Sequence, residues 1–95
     1  MPDINIRFNP ERSRWEALLD GDEIGFLDYQ VNCGIVEMSR TGVDRLEGQD
    51  TAAIGTELIR AGLEQAREDG LKVLATSPEV EEFLTDHRDD YRDLR

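Results

Sequence analysis

Residues 34–79 limit the possible folds of this chain more than any other stretch of its sequence. A run typical of a strand, residues 34–41, leads through a loop into a long amphipathic helix at about residues 54–69, and a short apolar run follows at 71–75. This order predicts a βαβ unit, in which the second strand lies parallel to the first. Such a unit places the amino end of its helix, with unpaired N–H groups, at the carboxyl end of a strand, which favours an anionic ligand.

Upstream of this unit, residues 4–31 show the period-two alternation of three strands joined by tight turns. Apolar residues at positions 4, 6 and 8 alternate with polar ones, and Asp20-Gly21 is a strong hairpin signal. On the third strand we expect Ile24 and Phe26 to share one face and Leu27 to lie on the other. Together with the strand at 34–41, this pattern predicts a four-stranded antiparallel meander.

The segment after the long helix predicts a parallel fifth strand and further helical structure. Gly70 is placed to end the helix, and Ser77 is placed to cap a second helix that begins at Pro78. In the polar tail, Tyr91 and Leu94 are spaced as a pair that could dock on the core. The predicted class is α+β, with a four-stranded antiparallel meander, a long helix, a fifth strand parallel to the fourth, and C-terminal helices.

Size and charge limit the possible partners. The 95 residues predict a single domain, and the net charge of −11 argues against binding to nucleic acid or to anionic membranes. An acid-rich surface with Lys72 as the only lysine resembles proteins of salt-loving cells. The amino terminus lacks the pattern of a signal peptide and Cys33 is the only cysteine, so we expect a cytoplasmic protein. We further expect this protein to be a monomer or a weak dimer.

Several short sequence motifs, in their order and spacing, resemble those of the small single-domain members of the GNAT superfamily of N-acetyltransferases. These motifs are Ile24-Gly-Phe-Leu-Asp-Tyr29, Gly34-Ile-Val-Glu-Met38, Leu46-Glu-Gly-Gln49, Ile54-Gly-Thr-Glu-Leu-Ile-Arg-Ala61, Ala66-Arg-Glu-Asp-Gly-Leu-Lys-Val73 and His87 followed by Tyr91-Arg-Asp-Leu94. The resemblance covers nearly the whole chain from Gly21 onward. It implies a GNAT-like minimal fold and transfer of an acetyl group from acetyl-CoA to a primary amine, carried by a small molecule or a protein.

The resemblance also implies where acetyl-CoA would bind. Backbone N–H groups of the loop and the first helical turn would hold its pyrophosphate, and a backbone N–H near Thr41 or Val43 would bind the developing oxyanion. The implied cofactor-binding residues in the loop and the helix are Gly48, Gln49, Asp50, Ala53, Ile54, Gly55 and Thr56.

This loop departs from the family pattern, which leaves two alternatives. Glu47 stands in the place of an arginine, and residues 50–53 replace a glycine-rich turn. Asp50 is a good N-cap, so the helix could begin near Thr51 with its first N–H groups satisfied by that carboxylate instead of a phosphate. The chain is then either an acetyl-CoA-dependent enzyme or a non-catalytic binding module that has lost the cofactor loop.

Two residues are candidates for catalysis. Ser77 stands where the family often has a cysteine, and it could donate a proton, while Glu37 is the best-placed carboxylate for a base on the fourth strand. Capping of a helix and a solvated position on the sheet are the respective structural alternatives. His87, the only histidine, is predicted to be a surface residue, with a role toward the substrate as the alternative, and no spacing of residues indicates a metal site.

Overall fold

Five strands form one sheet in the order β1-β2-β3-β4-β5, antiparallel from β1 to β4 and parallel between β4 and β5. The computed structural model describes residues 4–45 and 50–94. The strands are β1 (Ile4–Asn9), β2 (Arg14–Leu19), β3 (Asp22–Asn32), β4 (Ile35–Val43) and β5 (Lys72–Ala75). The predicted meander and the parallel fifth strand are therefore confirmed.

The tight turns of the meander follow from residues that tolerate a positive φ. Asp20 and Gly21 have φ of 52° and 86°, and Cys33 and Gly34 have φ of 53° and 79°. Two consecutive positive φ angles are the signature of a two-residue type I′ hairpin, whose twist matches that of the strands it joins. The register of β2 against β3 and of β3 against β4 is thus fixed locally at these two turns.

Two irregularities in the ladders bend the sheet. Ala17 pairs with Gly25 and Leu18 pairs with Glu23, so Ile24 is an extra residue of β3. Ile24 is therefore buried with Leu27 in the core, whereas the Phe26 ring lies 4.7 Å from the Arg14 guanidinium carbon, outside the core. The prediction that Ile24 and Phe26 share one face of the sheet is wrong, because a bulge interrupts the alternation of side chains between the two faces.

The second irregularity lies in β4, near the fifth strand. Asp28 pairs with Arg40 and Tyr29 pairs with Met38, which leaves Ser39 as the extra residue. Pairing of β4 with β5 ends at Met38 and Ala75. The bulge therefore falls just where the two parallel strands part.

Helix α1 (Thr51–Glu68) covers one face of the sheet and supplies much of the core, through Ile54, Leu58, Ile59, Gly62, Leu63 and Ala66. It begins three residues earlier than the periodicity indicated, since Asp50 caps it. A Cβ on Gly62 would lie 2.9 Å from Leu27 Cδ2 and 3.1 Å from Met38 Cε, so this glycine allows the helix to approach the sheet closely. Gly70, with φ of 71°, follows the end of the helix as predicted.

Helix α2 (Pro78–Asp86) and a 3₁₀ turn, Arg92–Leu94, complete the core. Tyr91 and Leu94 are 6% and 2% exposed, which confirms the predicted docking of the tail. Arg67 of α1 holds the tail by donating hydrogen bonds to the Asp93 carboxylate and to the carbonyl of Asp90. In the described part of the chain, no helix has the length and apolarity that a membrane span requires.

A network of ion pairs lies on the face of the sheet away from α1. The Glu16 side chain is fully buried there, and it accepts hydrogen bonds from Arg7, Asn9 and Arg12. These bonds, chiefly those from Arg7, hold the pKa of Glu16 below its ordinary value of 4.5, although burial acts in the opposite direction. Charged side chains rather than a second layer of helices therefore cover this part of the sheet.

Candidate functional site

The parting of β4 and β5 opens the sheet at the carboxyl end of β4. The N–H groups of Thr76 and Ser77 both donate to the carbonyl of Met38, at 3.2 and 3.1 Å, as the chain leaves β5 for α2. Beyond Met38, β4 continues to Val43 without a partner in β5. One edge of β4 is therefore exposed over its last residues.

The hydrogen-bond ladder shows which β4 amides face this opening. Asp44 N–H donates to the carbonyl of Ile24 at 2.7 Å. Residues of an antiparallel strand direct their amides to alternate sides, so Gly42 N–H also points toward β3, while Thr41 N–H and Val43 N–H point to the other side. The opening thus carries two strand N–H donors that the β3 ladder does not use.

A cleft of about 510 Å³ occupies this opening. It has three walls: the end of β4 together with Arg45, the first half of α1, and α2 with the residue that caps its carboxyl end. The lining residues are Thr41, Gly42, Val43, Arg45, Thr51, Ala52, Gly55, Thr56, Ile59, Glu79, Glu82, Phe83, Asp86 and His87. Four of the predicted cofactor-binding residues, Thr41, Val43, Gly55 and Thr56, are among them.

The amino end of α1 is only partly occupied by its own cap. Asp50 Oδ1 accepts from Ala53 N–H at 3.2 Å, and the Asp50 carbonyl accepts from Ile54 N–H at 3.1 Å. The first two amides of the helix, those of Thr51 and Ala52, have no hydrogen-bond partner within residues 4–45 and 50–94. Both residues line the cleft, so two helix-terminal donors without a partner in the described residues lie beside it.

Three of the other predicted cofactor-binding residues do not line the cleft. Ile54 is 5% exposed and belongs to the core, while Asp50 and Ala53 are exposed and do not line the cleft. The predictions for Gly48 and Gln49 fall outside the residues that the structure describes.

Gly55 is a cleft-lining glycine that the packing of the protein does not require. A Cβ built on Gly55 would meet only Val43 Cγ2, at 3.8 Å, which is an ordinary van der Waals contact. A glycine inside a helix costs about 1 kcal/mol relative to alanine. Gly62 of the same helix is explained by close contacts to the sheet, whereas Gly55 leaves open space on the cleft wall.

Neither of the two predicted catalytic residues lines the cleft. Glu37 lies on the sheet face opposite Val36 and Met38, and it accepts a hydrogen bond of 3.0 Å from the Thr76 hydroxyl. Ser77 is 1% exposed and holds the N-cap position of α2, but its hydroxyl donates to Glu79 Oε2 at 2.8 Å and makes no capping bond. Ser77 is therefore the N-cap residue of α2, as predicted, but its side chain makes no capping hydrogen bond.

The α2 wall contains residues that were not among the predicted site residues. Glu79, Glu82, Phe83, Asp86 and His87 recur at helical spacing and all line the cleft. The apolar positions of α2 already indicated which face is buried, and these residues border that face. His87 is half-buried at the carboxyl end of α2, not a free surface residue.

The charges around the cleft are uneven. Among the described lining residues, Arg45 is the only one with a basic side chain other than His87, whereas three carboxylates of α2 line the cleft. Among residues 4–45 and 50–94, no group of three or more histidine, cysteine or acidic side chains is arranged to hold a metal ion. The site therefore combines backbone donors on two walls with carboxylates on the third.

Comparison with known proteins agrees with this architecture. A family profile described as GCN5-related N-acetyl-transferase matches residues 14–94. The solution NMR structure of a GCN5-like protein from Staphylococcus aureus, proposed to be an N-acetyltransferase, superimposes with a TM-score of 0.71 at 26% identity, over 99% of this chain and 89% of that one. A search of curated proteins finds no match. The chain therefore belongs to the GCN5-related N-acetyltransferase (GNAT) family.

Proposed function

We propose that this protein transfers an acetyl group from acetyl-CoA to a primary amine. The observation that carries the proposal is the cleft between the parted strands, where strand amides and helix-terminal amides face one space of about 510 Å³. A cleft of this size is in the range of small-molecule sites in proteins. Family membership makes acetyl transfer the reaction to which this arrangement is best suited.

The strand amides suit the reacting end of acetyl-CoA. When an amine attacks the thioester carbonyl, negative charge develops on its oxygen, and preorganised N–H donors stabilise that charge. The amides of Thr41 and Val43 are turned to the cleft side of β4 and are our candidates for this task. Because these donors belong to a strand of the sheet, they are held rigidly.

The helix-terminal amides suit the phosphates. The N–H groups of Thr51 and Ala52 lie at the positive end of the α1 dipole, where phosphate groups bind favourably. The missing side chain of Gly55 allows a bound group to come close to the first turn of the helix. Gly48 and Gln49 remain in the proposal as further contacts of the loop.

Electrostatic repulsion opposes phosphate binding at low salt. The Asp50 carboxylate caps the same helix end, and Arg45 is the only guanidinium that the described residues contribute to the cleft wall. Screening falls to a length of about 3 Å at 1 M salt, which weakens repulsion between groups that are not in contact. We therefore propose that acetyl-CoA binds more tightly as salt rises, which fits the acidic composition of the chain.

The carboxylates of α2 suit a cationic acceptor. Glu79, Glu82 and Asp86 face the cleft and would attract an ammonium group, on a small molecule or on a protein side chain. Ser77 takes part in this proposal as a positioning residue, since its hydroxyl holds Glu79. Glu37 likewise positions Thr76 at the parting of the strands. A non-catalytic binding module is not favoured, because the cleft retains donors for both ends of the cofactor.

An assay of thiol release tests the proposal. The purified protein is incubated with acetyl-CoA and a panel of primary amines, at about 0.1 M and about 1 M salt. We expect amine-dependent release of the free thiol and an acetylated amine detected by mass spectrometry, with more transfer at high salt. Thiol release without any amine measures background hydrolysis. If no amine in the panel is acetylated at either salt concentration, the proposed activity is refuted.

A further inference from the structure

We propose that His87 is the catalytic base of the cleft, a role that rests on the N-acetyltransferase activity proposed above. The His87 ring is half-buried and lines the cleft together with Thr41 and Val43, the β4 residues whose amides face the opening. It would accept the proton that the attacking amine loses.

The hydrogen bonding of His87 determines which of its nitrogens is available. Nδ1 lies 3.0 Å from the carbonyl oxygen of Phe83. A carbonyl oxygen can only accept a hydrogen bond, so Nδ1 carries the hydrogen. In the neutral ring, Nε2 then has the free lone pair, and it has no hydrogen-bond partner in the described part of the chain. The contact with Phe83 thus presents an unprotonated nitrogen.

Packing holds the ring in this orientation. The His87 and Phe83 rings are stacked, with centroids 4.2 Å apart and planes 22° apart, and Phe83 is 7% exposed. The Phe83 ring in turn lies 5.7 Å from the ring of the buried Tyr91. A residue fixed by a hydrogen bond and by stacking against the core needs little reorganisation before proton transfer.

The position of His87 places it among charged groups of the cleft. His87 is the C-cap residue of α2. Among the described residues, the charged groups on the cleft wall are Glu79, Glu82 and Asp86 of α2 and Arg45 after β4, while α1 contributes only uncharged lining residues.

The step balances with water as the acceptor of one proton. The bound ammonium first gives one proton to water, because only a neutral amine has the lone pair that attacks. The amine nitrogen then forms a bond to the acetyl carbon and gives a second proton to Nε2, while charge collects on the carbonyl oxygen. An electron pair on this oxygen then re-forms the carbonyl double bond, the carbon–sulfur bond breaks, and the departing sulfur accepts the proton from Nε2. The products are the N-acetylated amine, the free thiol and neutral His87.

His87→Asn separates this role from a structural one. The asparagine amide can still donate to the Phe83 carbonyl, but no group replaces Nε2. The exposed neighbour Arg88 provides the matched control, R88N. For each protein, backbone amide NMR measures the binding of acetyl-CoA, and thiol release with an active amine is measured as a function of pH.

We expect R88N to behave as the wild type and H87N to bind acetyl-CoA with unchanged affinity. The kcat of H87N should fall about 10²- to 10⁴-fold, and its pH profile should lose the limb that reports the base. If wild type and H87N have equal kcat and the same pH profile, the role of His87 is refuted and the proposed function stands. If H87N loses acetyl-CoA binding, His87 is structural and the role is likewise refuted. If the wild type neither binds acetyl-CoA nor transfers acetyl groups, both proposals fail together.

Discussion

The substitution Gly55→Ala should raise the stability of the fold and weaken acetyl-CoA binding at the same time. Gly55 lies inside α1, and alanine at such a position is favoured over glycine by about 1 kcal/mol. The added methyl group would contact only Val43 Cγ2, at 3.8 Å, so packing does not offset this gain. For a domain of this size, 1 kcal/mol corresponds to a rise of about 4–8 °C in Tm.

The expected loss of affinity has a separate origin. The methyl group would project into the cleft beside the first turn of α1, where we place the phosphates of acetyl-CoA. Holding a phosphate away from the Thr51 and Ala52 amides would weaken one charge-assisted hydrogen bond, worth about 1.5–3 kcal/mol. Since every 1.4 kcal/mol is tenfold in affinity, the Kd should rise about 10- to 100-fold.

Calorimetric titration with acetyl-CoA and thermal unfolding measured on the same samples test both effects. Gly62→Ala is the matched control, since Gly62 lies about two turns further along α1, does not line the cleft, and its Cβ would meet Leu27 Cδ2 at 2.9 Å. G62A should be less stable than G55A while keeping the wild-type affinity. If G55A is more stable but binds acetyl-CoA as the wild type does, the cofactor does not approach α1 at this residue. If G55A is less stable than the wild type, the conclusion that a methyl group fits at position 55 without steric conflict is wrong.

Two further substitutions test the electrostatics. Asp50→Asn keeps the N-cap but removes a charge beside the helix end, so acetyl-CoA affinity should rise about three- to fivefold at low salt. Calorimetric titration should show that this gain in affinity vanishes at about 1 M salt. A gain in affinity that does not depend on salt would contradict the electrostatic explanation. Glu16→Gln should lower the free energy of unfolding in urea by about 1–3 kcal/mol at neutral pH, because it weakens the bonds from Arg7 and Arg12. Since the folded-state pKa of Glu16 is lowered, its stabilisation is present above the ordinary pKa of 4.5 and is lost as pH falls through the folded-state value. The difference in unfolding free energy between E16Q and the wild type should therefore shrink in acid. Glu23→Gln, at a more exposed carboxylate, is the control. A difference that stays constant from neutral pH to acid would contradict the stabilising role of the ionised Glu16 carboxylate.

The parts of the fold that were predictable are those encoded locally. The hairpin at Asp20-Gly21 has the backbone geometry that its two residues favour, and the spacing of Tyr91 and Leu94 anticipated their docking. The bulge at Ile24 was not predictable from alternation, because it depends on how β2 and β3 pair. The Asp50 cap was one of two alternatives, since residue type alone does not show how many helix amides a carboxylate satisfies.

The candidate site was predictable on two of its walls but not on the third. The strand and helix residues, such as Thr41 and Gly55, belong to a βαβ unit whose geometry brings them together. The contribution of α2 depends on tertiary packing, because the angle at which α2 leaves β5 decides what its polar stripe faces. His87 was for this reason predicted to lie on the surface, while Phe83 in fact draws it against the core.

Chemical shift mapping of backbone amides during a titration with acetyl-CoA tests the central claim most directly. The claim is that the amino end of α1 still accepts a phosphorylated ligand although Asp50 caps it. We predict that the largest shifts at about 1 M salt occur at Thr51, Ala52 and Gly55 and at the β4 amides of Thr41 and Val43, with none in the hairpin at Cys33, at the opposite end of β4. A titration in which the α1 amides do not move, at low or at high salt, would contradict the account.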